Sequence, residues 1–174
     1  MLGELITSKT RLRLLIKFFV SQANKGYLNG LATEMGESTN AIRKELNHLH
    51  AAGYLEKNKK DNKVEYQANT HHPLFNVLQK VVLKHLGLED IVATVLDRMG
   101  AVEQIVLVGD YAQGIDSGAI EIFLVGDALN TEYIQQLESK IEDLIQRKVS
   151  FYLTSKFHTD KPHIYLYEAD PSQK

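Results

Sequence analysis

The 174-residue sequence predicts an α+β chain in two parts, a helical part closed by a hairpin and then a small α/β part with a mixed sheet. Three observations predict it. Apolar residues recur at helical spacing through the first fifty residues and give way to two short alternating runs. The second half alternates helical segments with β-branched runs of five or six residues. Charge is divided as well. Residues 1–70 carry 11 Lys and Arg against 7 Asp and Glu, and residues 71–174 carry 9 against 15. Two parts with different partners are expected.

Ser8 can cap a first helix, SKTRLRLLIKFFVSQ, in which Leu12, Leu15 and Phe19 form a stripe widened by Leu14 and Phe18. Asn24-Lys25-Gly26 is a natural stop. A short helical segment, LNGLATEMG, ends at Gly36. Ser38 or Thr39 caps a third helix, TNAIRKELNHLHAAG, closed by Gly53. Residues 54–57 and 64–67 alternate around a polar tip, NKKDNK, whose Asp61-Asn62 pair has turn chemistry, so a hairpin is expected. His71-His72-Pro73 marks a boundary, because proline disfavours helix at the residue before it. PLFNVLQKVVLKHLG then reads as one amphipathic helix and EDIVATVLDRMG as a second, stopped at Gly87 and Gly100. Residues 103–108 and 120–125 read as strands. TEYIQQLESKIEDLIQRK is a helix with Leu137, Ile141 and Leu144-Ile145 at periodic positions. VSFYL and HIYLY are two further strands.

The composition excludes several classes. There is no cysteine, hence no disulfide and no thiolate metal site. Lys17 interrupts the apolar run near the start, and no small-residue cleavage site follows, so a signal peptide is not expected. No run approaches the length that spans a bilayer. The expectation is a cytoplasmic protein without membrane contact.

Three helices and a hairpin, in that order and size, make a winged helix-turn-helix. The third helix places Ile42, Leu46 and Leu49 toward a core and Asn40, Arg43, Lys44 and Asn47 on the opposite stripe. Guanidinium and amide groups read base edges in a major groove, Arg pairing with guanine and Asn with adenine. Thr39 stands at the helix N-terminus, where hydroxyl and backbone N–H groups meet phosphate. Lys57, Lys59, Lys60 and Lys63 of the hairpin would contact the flanking backbone. Over residues 8–68 the segment resembles ArsR/MarR-type winged-helix repressors, a resemblance of architecture rather than of a strict motif. It implies a homodimer reading paired half-sites of double-stranded DNA. The helix over 74–86, with Leu74, Phe75, Leu78, Val82 and Leu83, offers either a dimer contact or a packing face. His48 and His50 do not share a helix face, and no metal site is expected.

The second half carries three anchors: GDYAQG after EQIVLV, then AIEIFLVG, then QRKVSFYLTS after the long helix. In order and spacing these resemble the minimal nucleotidyltransferase domain over residues 89–174. That family's loop serine and nearby N–H groups hold a triphosphate, and three acids hold magnesium and activate the acceptor. At the matching positions this sequence has Asp110, Ala119, Glu121 and Ser150. A carboxylate about 5 Å from a phosphate charge costs roughly 3 kcal/mol at an effective dielectric near 20. Two-metal transfer needs more than one carboxylate. The resemblance therefore implies a retained fold, with Gly109 and Gly114 shaping the turn and Tyr111 packing beneath it, and an absent catalytic apparatus. Asp110 and Asp116 could join Glu121 in a rebuilt site. The reading favoured for Glu121 is a surface carboxylate at an edge-facing position.

The sequence thus predicts a DNA-binding transcriptional regulator. Residues 1–70 form its winged helix domain, 71–88 a linker helix, and 89–174 a nucleotidyltransferase-like domain used for dimerisation or for sensing a small-molecule or nucleotide effector. No cofactor is expected. Two alternatives stand beside it, a working magnesium-dependent nucleotidyltransferase and a winged-helix adaptor that binds protein.

Overall fold

The computed structural model describes residues 2–170. It is mixed α and β and falls into two compact units, Met1–Val82 and Leu83–Lys174. The first unit opens with α1 (Leu2–Leu5), α2 (Lys9–Phe19), β1 (Lys25–Tyr27), α3 (Leu28–Met35) and α4 (Thr39–Ala51). The hairpin β2 (Leu55–Lys60) and β3 (Lys63–Ala68) follows, and α5 (Phe75–His85) crosses the division between the units.

Each local stop has a chemical cause. The Ser8 hydroxyl accepts the Arg11 N–H at 3.2 Å and starts α2. Gly36, at φ 63°, ends α3 in the left-handed region. Ser38 caps α4 by accepting the Ala41 N–H at 3.1 Å. Asp61 and Asn62 both adopt positive φ, 46° and 62°, the two-residue turn that matches strand twist in a hairpin. Lys25–Tyr27, expected only as a stop, is a strand: it pairs with β3 and completes a three-stranded antiparallel sheet ordered β1-β3-β2. The core gathers Leu14, Phe18, Phe19, Leu31, Ile42, Leu46 and Leu55, all at most 2% exposed. Each such side chain contributes about 1.5–3 kcal/mol relative to exposure.

Two residues of the expected apolar stripe of α5 serve as a packing face. Phe75 and Val82 are buried, and Phe75 lies 5.6 Å, centroid to centroid, from Phe19. The exposed apolar stripe is instead Leu74, Val77 and Val81.

In the second unit α6 (Leu88–Arg98) leads into a four-stranded mixed sheet. Its strands are β5 (Gln104–Val108), β6 (Ala119–Val125), β8 (Lys148–Thr154) and β9 (His163–Glu168), in the order β8-β6-β5-β9. A small pair, β4 (Gly100–Ala101) with β7 (Ala128–Leu129), stands apart from it. β6 runs parallel to β8, and β5 is antiparallel to both β6 and β9. Helix α7 (Ile134–Ile145) makes the crossover from β6 to β8. It stops three residues earlier than expected, where Gln146 turns left-handed at φ 57°. Ile120, Ile122 and Leu124 are buried on one face of β6, and Glu121 and Phe123 alternate with them on the other. The register aligns Ser150, Glu121, Val108 and His163 in one row across that second face. Tyr152, Phe123, Val106 and Tyr165 form the next. β8 lies at the sheet edge, and its Val149 and Phe151 amides donate to Glu142 and Glu138 of α7 at 3.0 Å, which blocks that edge to strand pairing. Among the described residues no helix is long and apolar enough to cross a membrane.

Candidate nucleic-acid interface

In the first unit α4 buries Ile42, Leu46 and Leu49 and exposes Thr39, Asn40, Arg43, Lys44 and Asn47. The expected polar stripe is therefore continuous along one face. One residue of α4 escaped the sequence reading. Glu45 is 7% exposed, on the buried side. Its carboxylate accepts from Arg11 Nε at 2.8 Å and from the Ser8 hydroxyl at 3.0 Å, which ties α4 to the start of α2. Burial pushes the Glu45 carboxyl up, but the hydrogen bonds from Arg11 and Ser8 outweigh it and hold the group below the usual carboxylate range. A second pair, buried Lys17 Nζ to the more exposed Glu34 at 2.9 Å, fixes α2 against α3. Both acids stand at positions where helical periodicity calls for an apolar side chain or is indifferent, so no sequence signal marks them.

The hairpin lysines are not equivalent. Lys57 lies opposite Tyr66 and Lys59 opposite Val64, while Lys60 and Lys63 face each other beside the turn. Lys57 Nζ stands 5.8 Å from the centroid of the Tyr66 ring. Between α3, α4 and β3 lies a concavity of about 650 Å³, lined among others by Asn29, Gly30, Arg43, Asn47, Lys63 and Tyr66. It brings Arg43, Asn47 and Lys63 together. Tyr66 and Asn29 were not singled out in the sequence; alternation in the hairpin marks Tyr66 only as inward-facing.

In the second unit the 109–114 loop forms the expected turn. Gly109 and Gly114 take φ of 75° and 77°, and a short 3-10 turn, Tyr111–Gln113, lies between them. A Cβ on Gly109 would stand 3.1 Å from Glu121 Oε2, so close approach adds to the conformational demand. Tyr111 is 1% exposed. Its hydroxyl donates to Asp116 and accepts the Gly118 N–H at 3.1 Å. Burial and then Asp116 push the Tyr111 phenol up to about 12. Arg147 holds Asp116 with two bonds, NH2 to Oδ2 at 2.8 Å and Nε to Oδ1 at 3.2 Å. Burial raises the Asp116 carboxyl, and Arg147 and Tyr111 more than reverse the effect.

Asp110, Ala119 and Glu121 line one cavity of about 420 Å³ with Gly109 and Lys161. Ser150 is the register partner of Glu121. Asp116 takes no part in that cavity, being bound to Arg147. Glu121 is not at a sheet edge, as expected from the sequence. β6 is an inner strand, and the Glu121 carboxylate faces the loop, 3.6 Å from Lys161 Nζ. Lys161 lies forty residues further on in a polar segment and gave no sequence signal. Among the described residues no group of three or more His, Asp or Glu side chains is placed to hold a metal ion.

No protein-family model matches this chain, and no curated protein matches it. Among solved structures, that of the antimony-specific transcriptional repressor AntR is similar at 20% identity and a TM-score of 0.38, over 51% of this chain and 81% of that one.

Proposed function

We propose that this chain is a DNA-binding transcriptional regulator, acting as a homodimer, in which residues 8–68 form a winged helix-turn-helix and α4 enters the major groove. The observation that carries the reading is the exposed face of α4. Asn40, Arg43, Lys44 and Asn47 project from it, and neither Arg43, Lys44 nor any of the four hairpin lysines enters a salt bridge among the described residues. A row of cations outside the salt bridges, with only Lys60 near enough to act on an acid, Glu65, is suited to a polyanion. Thr39, at the first turn of α4, adds hydroxyl and backbone donors for a phosphate.

The second unit, in this reading, is nucleotidyltransferase-like and non-catalytic, and it serves dimerisation or the sensing of a small molecule. Three features support this. Ala119 and Ser150 offer no carboxylate, Asp116 is committed to Arg147, and Glu121 is neutralised by Lys161.

The test is selection of duplex fragments by the full chain, followed by titration of the wild type and Arg43→Ala against the selected site and its single-base variants. Loss of Arg43 is expected to cost about 1–3 kcal/mol and to relax specificity at one position. Affinity should also fall steeply with salt. A shallow salt dependence with unchanged specificity would instead favour a protein-binding adaptor.

A further inference from the structure

We infer that the concavity between α3, α4 and β3 is an oxyanion site that seats one backbone phosphate of the bound duplex, with the Tyr66 hydroxyl as its central donor. The inference rests on the DNA-binding reading and adds to it a neutral contact outside the base-reading stripe.

Tyr66 is 7% exposed, and its hydroxyl forms no hydrogen bond within the described residues. No buried side-chain polar atom there lacks a partner, so the hydroxyl is the part of Tyr66 that remains open, at the concavity its side chain lines. Here the side chain lines the concavity, and Arg43 is near enough for its charge to act on the Tyr66 phenol, which burial otherwise raises. The first turn of α3 opens on the same space. Its cap residue, Tyr27, supplies no side-chain bond to the α3 amides, having no short side-chain acceptor, and its distant hydroxyl donates to Glu65 at 2.8 Å. Asn29 and Gly30 of that turn line the concavity, and beside Gly30 a Cβ would meet nothing within 4 Å. Uncapped N–H groups at a helix start attract anions.

Charge points the same way. The lining includes Arg43 and Lys63 and no acid. The concavities on the second unit differ in carrying acids: one is lined by Asp110 and Glu121 against Lys161, another by Glu103, Glu168 and Asp170 against Lys156, and a third by Glu142 and Asp143 with Arg147 and Lys148. A duplex lying along α4 brings phosphates to the groove between the helix and the hairpin. A phosphate held by Tyr66 and the α3 amides would fix the height and tilt of α4, and so the register in which Arg43 and Asn47 meet the bases.

The experiment uses the full chain, wild type and Tyr66→Phe, with two probes. The first is inorganic phosphate, followed by the amide signals of Asn29 and Gly30. Saturable shifts are expected in the wild type and weakening of about tenfold in Tyr66→Phe, the size of one hydrogen bond to a charged acceptor. Absence of any shift in the wild type overturns the oxyanion site.

The second probe is the selected duplex carrying a single uncharged methylphosphonate at each position in turn. At one position the replacement should weaken the wild type about tenfold and the variant less than about twofold, because both changes remove the same contact. Tyr66→Phe should weaken all sequences alike and leave the salt slope unchanged, since no charge is lost. Additive effects at every position overturn the assignment. The methylphosphonate scan of the wild type needs no variant, so a misfolded Tyr66→Phe cannot hide the answer; a scan in which no position matters also overturns it. If no duplex is selected, the DNA-binding reading falls, and the phosphate titration alone decides whether the site takes free oxyanions.

Discussion

Replacing Glu45 by Gln should destabilise the first unit without touching the exposed face of α4. The carboxylate accepts from Arg11 Nε at 2.8 Å, from a second Arg11 nitrogen at 3.5 Å and from the Ser8 hydroxyl at 3.0 Å. Gln keeps the volume and one accepting oxygen, so one of the short bonds survives. The other loses its charge assistance, which is worth about 1.5–3 kcal/mol when both groups are buried. The Arg11 side chain is 42% exposed, and solvent replaces part of what it loses. The expected cost is about 1–2 kcal/mol, or roughly 4–8 °C in melting midpoint per kcal/mol for a unit of this size. Thermal and urea melts followed by circular dichroism measure it. The pH dependence supplies an internal check. The folded Glu45 carboxyl lies below its unfolded value of about 4.3, so its stabilisation is fully present above that pH and is lost as the pH falls through the folded pKa. The gap between wild type and Glu45→Gln should therefore close on acidification. Equal midpoints at pH 7, or a gap that stays constant into acid, would refute the reasoning.

Two further predictions concern the second unit. Asp116→Asn should cost about 1–3 kcal/mol, less than a fully buried pair because the Asp116 side chain is 31% exposed. The folded Asp116 carboxyl is depressed, so its contribution is present above about pH 3.9 and lost as the pH falls through the folded value; acid titrations of wild type and variant should converge there, and parallel curves would contradict the assignment. Calorimetry of the full chain with ATP and Mg²⁺ should show no heat that Glu121→Gln abolishes, whereas magnesium-dependent heat lost in that variant would restore the enzyme reading.

Most of the fold was legible because it rests on local rules. Ser8, Ser38, Gly36, Gly53 and Gly100 punctuate helices by chemistry that a sequence displays directly, and Asp61-Asn62 announces the hairpin. The strand at Lys25–Tyr27 was not legible. Three residues carry no periodicity, and its existence depends on β3 lying beside it. Of the candidate sites, the outward placement of Asn40, Arg43 and Asn47 was legible, since it follows from helix geometry alone. Their inward parts were not. Glu45 meets Arg11 across 34 residues, Asp116 meets Arg147 across 31, and Lys161 reaches Glu121 from a polar loop. Only tertiary packing creates such pairs, and no spacing in the chain encodes them.

The two units use their charges in opposite ways, and that contrast bears on function more than net charge does. Around the 109–121 loop the ionic groups close on one another: Asp116 with Arg147, Glu121 with Lys161, and Glu142 with Lys148 near the start of β8. In the proposed non-catalytic reading, a triphosphate entering the cavity would meet the carboxylates of Asp110 and Glu121 beside the single lysine, Lys161. In the first unit the pairs Arg11–Glu45, Lys17–Glu34 and Lys25–Glu65 also close internally, and each lies between elements that it holds together. Arg43, Lys44 and the hairpin lysines do not take part in them. None of those six cations forms a salt bridge among the described residues, although Lys60 is close enough for its charge to act on Glu65. In the proposed reading a duplex backbone would present anions along that helix and hairpin.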